Sequence, residues 1–348
     1  MPIPYRRVDC SAPGIFRRRR GRGFEYLDAG GRIEDPDTLA RIRTLGIPPA
    51  WKDVWICSDP KGHIQAVGID AAGRKQYLYH QRWRERRDQQ KFDRMVEFAE
   101  RLPKVRTITN DHLTLEGMPR ERALACAVRL LDRGFFRVGG EDYAESNQSF
   151  GLATMLKRHV TLEDGEVVFD YIAKSGKQRI HSVVDPHVYD VVDHLKRRRA
   201  GGPELLAYKV GRAWKDVRST DINEYLKDVA GAEYSAKDFR TWHGTVRATL
   251  ALAVSFNVDA SKTARKRAVT RAVQEVAHYL GNTPAVCRKS YIDPRVIDRF
   301  QGGITISGVF DELGDVDALS DGSLAKVEEA VLDLIEGNMS SPLVEKVA

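Results

Sequence analysis

Val269-Thr270-Arg271-Ala272-Val273-Gln274-Glu275-Val276-Ala277-His278-Tyr279-Leu280-Gly281 fixes the character of the larger part of this chain. Val269, Ala272, Val273, Val276 and Leu280 recur at helical spacing, so the helix has an apolar stripe to bury. The pattern begins near Ser261 and stops at Gly281, where glycine supplies the left-handed residue that ends many helices. Beyond that end come Asn282-Thr283-Pro284 and, nine residues after Asn282, Tyr291 in Lys289-Ser290-Tyr291. A tyrosine hydroxyl, with a reference pKa of about 10, attacks poorly unless nearby cations favour the phenolate. Arg288 and Lys289 give Tyr291 a basic setting; a buried core tyrosine is the plain alternative.

Outward from this stretch the pattern stays mainly helical. Ser235-Ala236-Lys237-Asp238 resembles a capping box, with Asp in place of Glu, and opens a helix. There Arg240, Gly244 and Arg247 recur at i, i+4, i+7 with His243 beside them, opposite Phe239, Trp242, Val246 and Leu250. The reading is a packed face and a basic face, with Gly244 leaving room for a phosphate backbone; the alternative is an ordinary amphipathic helix with surface arginines. Further helices are expected over Glu121–Gly134, Pro186–Arg199 and Thr220–Val229. Between Val160 and Val184 the pattern turns strand-like, in a hairpin with its turn at Lys174-Ser175-Gly176-Lys177. Lys174 at that turn is either a solvated lysine or one that reaches a phosphate as proton donor. Arg137, in Phe136-Arg137-Val138-Gly139-Gly140, either forks onto a phosphate or pairs with Glu141 or Asp142.

Residues 1–80 read as β-rich. Val54-Trp55-Ile56-Cys57 and Ile64-Gln65-Ala66-Val67-Gly68 are separated by turn residues, and one helix is expected from Pro36 to Leu45 with Asp35 as N-cap. In Arg74-Lys75-Gln76-Tyr77-Leu78-Tyr79, Gln suits adenine edges, Arg suits guanine, and Tyr hydroxyls suit phosphates. Alternation sets Gln76 and Leu78 opposite Tyr77 and Tyr79, which is equally an aromatic ladder on a strand. Arg17-Arg18-Arg19-Arg20 is expected to be a flexible, phosphate-contacting or solvated segment. A long helix from Gln81 to Arg101, with Phe92, Met95, Val96 and Ala99 on one face, is expected to close this part or to bridge to the next. The expected domains are 1–91, 92–303 and an acidic tail, 304–348, with one helix near Ser323–Ile335.

The chain has 348 residues and a net charge of +7. Ten acidic and two basic residues fall between Ile304 and Ala348, leaving about +15 on the rest. A body this basic attracts a polyanion, nucleic acid first. Cys10, Cys57, Cys126 and Cys287 form no CxxC pair and suit reduced thiols, so neither zinc nor a disulfide is expected. No apolar run reaches membrane-spanning length and Met1–Arg7 lacks a signal-peptide core, so a cytoplasmic, nucleoid-associated protein is expected. There is no Walker A string.

Taken together, Ile47-Pro48-Pro49-Ala50-Trp51-Lys52-Asp53-Val54-Trp55, Gly62-His63-Ile64-Gln65-Ala66, Gly73-Arg74-Lys75-Gln76-Tyr77, Lys237-Asp238-Phe239-Arg240-Thr241 and Ser290-Tyr291 resemble the type IB DNA topoisomerases in their compact bacterial and poxvirus-like form. The resemblance runs to about Phe300. It implies an α+β protein: a small β-rich N-terminal domain and a larger, mainly α catalytic domain with a small β-hairpin, forming a clamp around duplex DNA. It implies a monomer that relaxes supercoils without ATP, metal or other cofactor. Tyr291 would be the nucleophile of a 3′-phosphotyrosyl intermediate, Arg137 and Arg240 would hold the non-bridging oxygens, and Lys174 would protonate the leaving 5′-oxygen. Lys237 and Tyr143 match accessory phosphate contacts; Arg74, Gln76, Tyr77 and Tyr79 fall in the major-groove segment. The departure is Asn282, where the family usually carries His: Asn donates a hydrogen bond but carries no charge. A tyrosine recombinase shares the Arg-Lys-Arg-Tyr logic, but usually has His where Lys237 stands and lacks this N-terminal domain. A DNA-binding protein that has lost activity is the other alternative.

Overall fold

The computed structural model describes residues 5–134, 136–256, 261–313 and 321–346, with the side chains of 142, 143 and 321 outside it. The chain divides into two compact units, Met1–Asp93 and Arg94–Ala348.

In the first unit, β1 (Ile15–Arg20), β2 (Gly23–Asp28), β3 (Gly31–Arg32), β4 (Lys52–Ile56), β5 (Ile64–Ile69) and β6 (Lys75–Tyr79) form one antiparallel sheet, in the order β3-β2-β1-β4-β5-β6. Its alternation places Ile15, Val54, Ile56 and Ala66 on one face against Ile42 of α1 (Pro36–Thr44). Asp35 caps α1, its carboxylate accepting from the Thr38 N–H at 2.8 Å. The arginine run is not a flexible segment: it is strand β1. The Arg17 guanidinium donates to the carbonyls of Pro48 and Trp51, and Arg18 pairs with Glu25 at 2.7 Å. These partners lie on later strands and loops, so a reading of local charge could not supply them.

The helix expected to stop at Arg101 runs on as α2 (Gln81–Leu113), through Pro103. A proline inside a helix forfeits one hydrogen bond; Leu102 and Val105 beside it are buried, and their burial offsets that loss. The division between the units falls within α2, where a continuous helix leaves no compositional mark.

The second unit is mainly helical: α3 (Arg120–Gly134), α4 (Glu141–Asn147), α5 (Pro186–Arg197), α6 (Ser219–Ala230), α7 (Ala236–Val254), α8 (Lys262–Leu280), α9 (Pro284–Ser290) and α10 (Pro294–Gln301). A three-stranded meander, β7 (Val160–Glu163), β8 (Glu166–Ala173) and β9 (Lys177–Val184), interrupts them, as does a hairpin of β10 (Ala207–Val210) and β11 (Ala213–Asp216) that the sequence pattern does not announce. Helix α7 packs against α3, α8 and α10. Its expected basic face is therefore not a solvent face: Arg240, His243 and Gly244 are buried with Phe239 and Trp242.

From Ile304 the chain does not trail away as an acidic tail. Strand β12 (Ile304–Thr305), α11 (Gly308–Leu313), α12 (Asp321–Glu336) and β13 (Glu345–Lys346) follow, β12 pairs with β13, and α12 packs on α7. Val327, Ala330, Val331 and Leu334 form a buried stripe at helical spacing. Net charge conceals such a stripe, because most of the acids of α12 stay exposed or half-exposed while Glu328 is buried with the apolar residues. No helix among the described residues is long and apolar enough to cross a membrane.

Candidate active site

Three backbone devices position the basic side chains of the second unit. The loop after α3 lies directly on the chain at Gly151: Leu152 N–H donates to the Arg137 carbonyl at 2.8 Å and Ala153 N–H to that of Val138 at 2.7 Å. A Cβ at Gly151 would lie 2.5 Å from Gly139 Cα, so only glycine permits the approach. Arg137 is fixed by that contact. The β8–β9 turn presents Lys174, with Ser175 and Gly176 both at positive φ. The capping box of Ser235 and Asp238 starts α7 and sets Lys237 and Arg240 one turn apart. Tyr291 closes α9, its N–H donating to the Cys287 carbonyl at 2.9 Å.

These elements bring Arg137, Lys174, Lys237, Arg240 and Tyr291 around one cavity of about 380 Å³, which Phe150, Asn223 and Ser235 also line. Lys237 and Lys174 are exposed, whereas Tyr291 is 8% and Arg240 5% exposed. The Arg240 guanidinium carbon lies 5.3 Å from the Tyr291 ring centre. Gly244 has a different neighbour from the one expected: a Cβ there would lie 2.6 Å from the Tyr291 carbonyl oxygen, so the missing side chain admits the tyrosine's own backbone, not a phosphate.

Asn282 follows the αL residue Gly281 and sits among the two arginines. Its Oδ1 accepts from Arg137 Nη2 and, at 3.5 Å, from Arg240 Nη2, which also donates to the Leu280 carbonyl at 2.8 Å. Guanidinium only donates, so the oxygen must face the arginines and the NH₂ is left for an acceptor. Arg137 is thus not paired with Glu141, whose carboxylate accepts from the Ser219 N–H and hydroxyl.

Burial pushes the Tyr291 phenol up, but the charges of Arg240 and Arg137, with side-chain hydrogen bonds from Arg240 and Asn282, outweigh it and hold the phenol below its ordinary value. Burial, then the charge of Arg137, lowers Arg240 to about 10. Two crowded guanidiniums seek an anion, and they favour the ionised form of the phenol. Cys287 beside the site is pushed up to about 11 by burial, which keeps its thiol inert.

Tyr143 lies on α4, but its side chain is outside the described residues. Arg74, Gln76, Tyr77 and Tyr79 lie in the first unit, at β6 and the turn before it. Tyr77, 39% exposed, stacks on Tyr79 at 6.0 Å, and Tyr79 on Trp83 at 4.7 Å. Asp70 accepts from the Gln76 amide at 2.9 Å and pairs with Arg74 at 2.9 Å. Asp70 and Trp83 were not singled out in the sequence. The Asp70-to-Arg74 turn hinted at the first, and nothing local marked the second. His243, expected beside the arginines, turns into the core and bonds Asp132 at 3.1 Å. Among the described residues no group of three or more His, Cys, Asp or Glu side chains could hold a metal ion.

A phenol, two guanidiniums and two ammonium groups about one cavity make a centre suited to phosphoryl transfer. A family model described as the catalytic core of eukaryotic DNA topoisomerase I matches residues 80–306, and another, described as the N-terminal domain of bacterial DNA topoisomerase IB, matches residues 23–70. DNA topoisomerase 1B of Acanthamoeba polyphaga mimivirus is 29% identical over 301 residues, 83% of this chain and 88% of that one. DNA topoisomerase 1 of Rabbit fibroma virus (strain Kasza) is 22% identical over 297 residues, 80% of this chain and 89% of that one. DNA topoisomerase I of Monkeypox virus is 20% identical over 238 residues, 67% and 71% respectively. The fold and the matches define an isomerase, a DNA topoisomerase. The chain belongs to the type IB family.

Proposed function

We propose that this protein relaxes supercoiled duplex DNA by cutting one strand, letting it rotate and resealing it, without ATP or metal. Tyr291 loses its phenolic proton to solvent, and its Oη attacks the phosphorus as phenolate and forms a 3′-phosphotyrosyl bond as the bond to the 5′-oxygen breaks. Arg137 and Arg240 hold the non-bridging oxygens as charge builds, which two prepositioned guanidiniums do without reorganisation. Lys174 gives its proton to the leaving 5′-oxygen, and Asn282 turns its NH₂ toward the phosphate. The phosphotyrosyl link conserves the energy of the phosphodiester, so the reverse step reseals the strand. Lys237 and Tyr143 contact neighbouring phosphates, and Arg74, Gln76, Tyr77 and Tyr79 contact duplex DNA from the first unit. On this reading the protein works as a monomer, in the cytoplasm at the nucleoid.

The observation that supports this most strongly is the convergence of Arg137, Lys174, Lys237 and Arg240 on a phenol held below its ordinary pKa. The test is relaxation of a supercoiled plasmid in EDTA without ATP, beside Tyr291→Phe. Relaxation by the parent, none by the variant, and a covalent adduct on the 3′ side of a suicide substrate are expected. DNA binding with no adduct by the parent would leave a binding module instead.

A further inference from the structure

The C-terminal end of α8 is shared by two arginines from different elements. The Leu280 carbonyl accepts from Arg240 on α7 at 2.8 Å. The two preceding carbonyls, of His278 and Tyr279, accept from the two terminal nitrogens of Arg179 on β9, the first at 2.8 Å. A helix ends in unsatisfied carbonyls and a negative dipole, so it is a natural seat for guanidinium. Arg179 stands opposite Tyr171 in the β8–β9 register, three residues before Lys174 along β8. It lines a small cleft with Arg137, Lys174, Arg240 and Gly281, and a Cβ on Gly281 would lie 3.4 Å from its Nη1.

The Lys174 turn projects from a hairpin whose tip residues adopt left-handed backbone, a conformation that by itself aims no side chain. Near the tip the hairpin is held on one side by Phe150 N–H, which donates to the Ile172 carbonyl at 2.7 Å. Arg179 holds the other side, and does so on the helix end that also seats Arg240 and leads directly into Asn282.

We infer that Arg179 is a positioning residue: it fastens the Lys174 hairpin to the C-terminus of α8, so that Lys174 meets the same phosphate as Arg240 and Asn282. This rests on Lys174 being the proton donor to the leaving oxygen. Its consequence is selective. Loss of Arg179 should harm the step that needs a proton and spare a reaction that does not.

A substrate with sulfur in place of the bridging 5′-oxygen separates the two, because a thiolate leaves without a proton whereas an alkoxide does not. Single-turnover cleavage of both substrates is measured for the parent, Lys174→Ala, Arg179→Ala and Arg179→Lys. Arg179→Ala is expected to slow the oxygen substrate on the order of 10²-fold, the scale of a lost general acid, and the sulfur substrate by less than about 3-fold. Arg179→Lys, which keeps one donor for the helix end, should recover part of the oxygen rate. Equal slowing of both substrates by Arg179→Ala and Arg179→Lys, or slowing of neither, overturns the inference. If sulfur fails to relieve Lys174→Ala, then Lys174 is not the proton donor and the inference falls with it. If sulfur relieves Lys174→Ala but not Arg179→Ala, only the positioning role falls.

Discussion

Asn282 uses both ends of one amide. Its oxygen takes an N–H from Arg137 and another from Arg240, while a side-chain hydrogen bond from it helps lower the Tyr291 phenol. A protonated histidine could not accept from either arginine. Asn282→Ala removes one of the causes that lower the phenol, so the pH midpoint of single-turnover cleavage should move up: phenolate is the attacking form, and less of it is present at neutral pH. The lost hydrogen bonds to charged groups predict a fall in rate of about tenfold to a hundredfold at neutral pH, on a scale of about 1.5–3 kcal/mol. An unmoved midpoint and rate would remove Asn282 from the mechanism. Tyr291 and Asn282 could be singled out because both follow a clear glycine helix stop at a spacing that resembles that of a known family. The acceptor role of Asn282 was not, because Arg137 stands 145 residues away.

At the scale of elements, α12 is fastened to the helix that carries Arg240. Arg106 on α2 is gripped by Asp132 at 2.8 Å and by Glu328 at 2.6 Å; Glu328 also accepts from the Trp242 indole at 3.0 Å, and Asp132 meets His243. Burial would push Arg106 down, but the charge of Asp132 and the hydrogen bonds of both carboxylates outweigh it and raise it. Glu328→Ala leaves a buried guanidinium half-paired and the indole N–H without its acceptor. Removing one partner of a buried pair costs about 3–5 kcal/mol, and the lower end is expected because Asp132 remains. Urea denaturation measures it, and a loss under about 1 kcal/mol would mean that α12 docks through its apolar stripe alone. Helical period revealed α8 and the first part of α2, and helices were also expected where α3 and α12 lie. Pro103 concealed the second half of α2, since local propensity opposes what burial of Leu102 and Val105 decides.

At the scale of the molecule, the excess of positive charge before Ile304 bears on how DNA is held. Each phosphate contacted by a cation releases condensed counterions, so affinity should fall linearly in log salt with a slope of about 0.9 per contact. Lys237→Ala, which removes an exposed cation of the cavity, should weaken binding and reduce that slope by about one contact. Filter binding of a nicked duplex over a salt series reads both. An unchanged slope would remove Lys237 from the phosphate-contacting set.

The sequence by itself determined the kind of most helices, the glycine stop after Leu280, the turn that bears Lys174 and the basic strings around Arg240 and Tyr291, because each is written within a few residues of one another. Only the tertiary structure decided what those residues meet. It buried Arg240, His243 and Gly244 of α7 where periodicity offered a basic face, put the Tyr291 carbonyl where Gly244 left a gap, drew the acidic C-terminal helix onto the core through Glu328, and seated Arg179 and Arg240 on one helix end. These are contacts between residues tens to hundreds of positions apart, and their energies come from burial and paired charge in the folded interior, which no local pattern records.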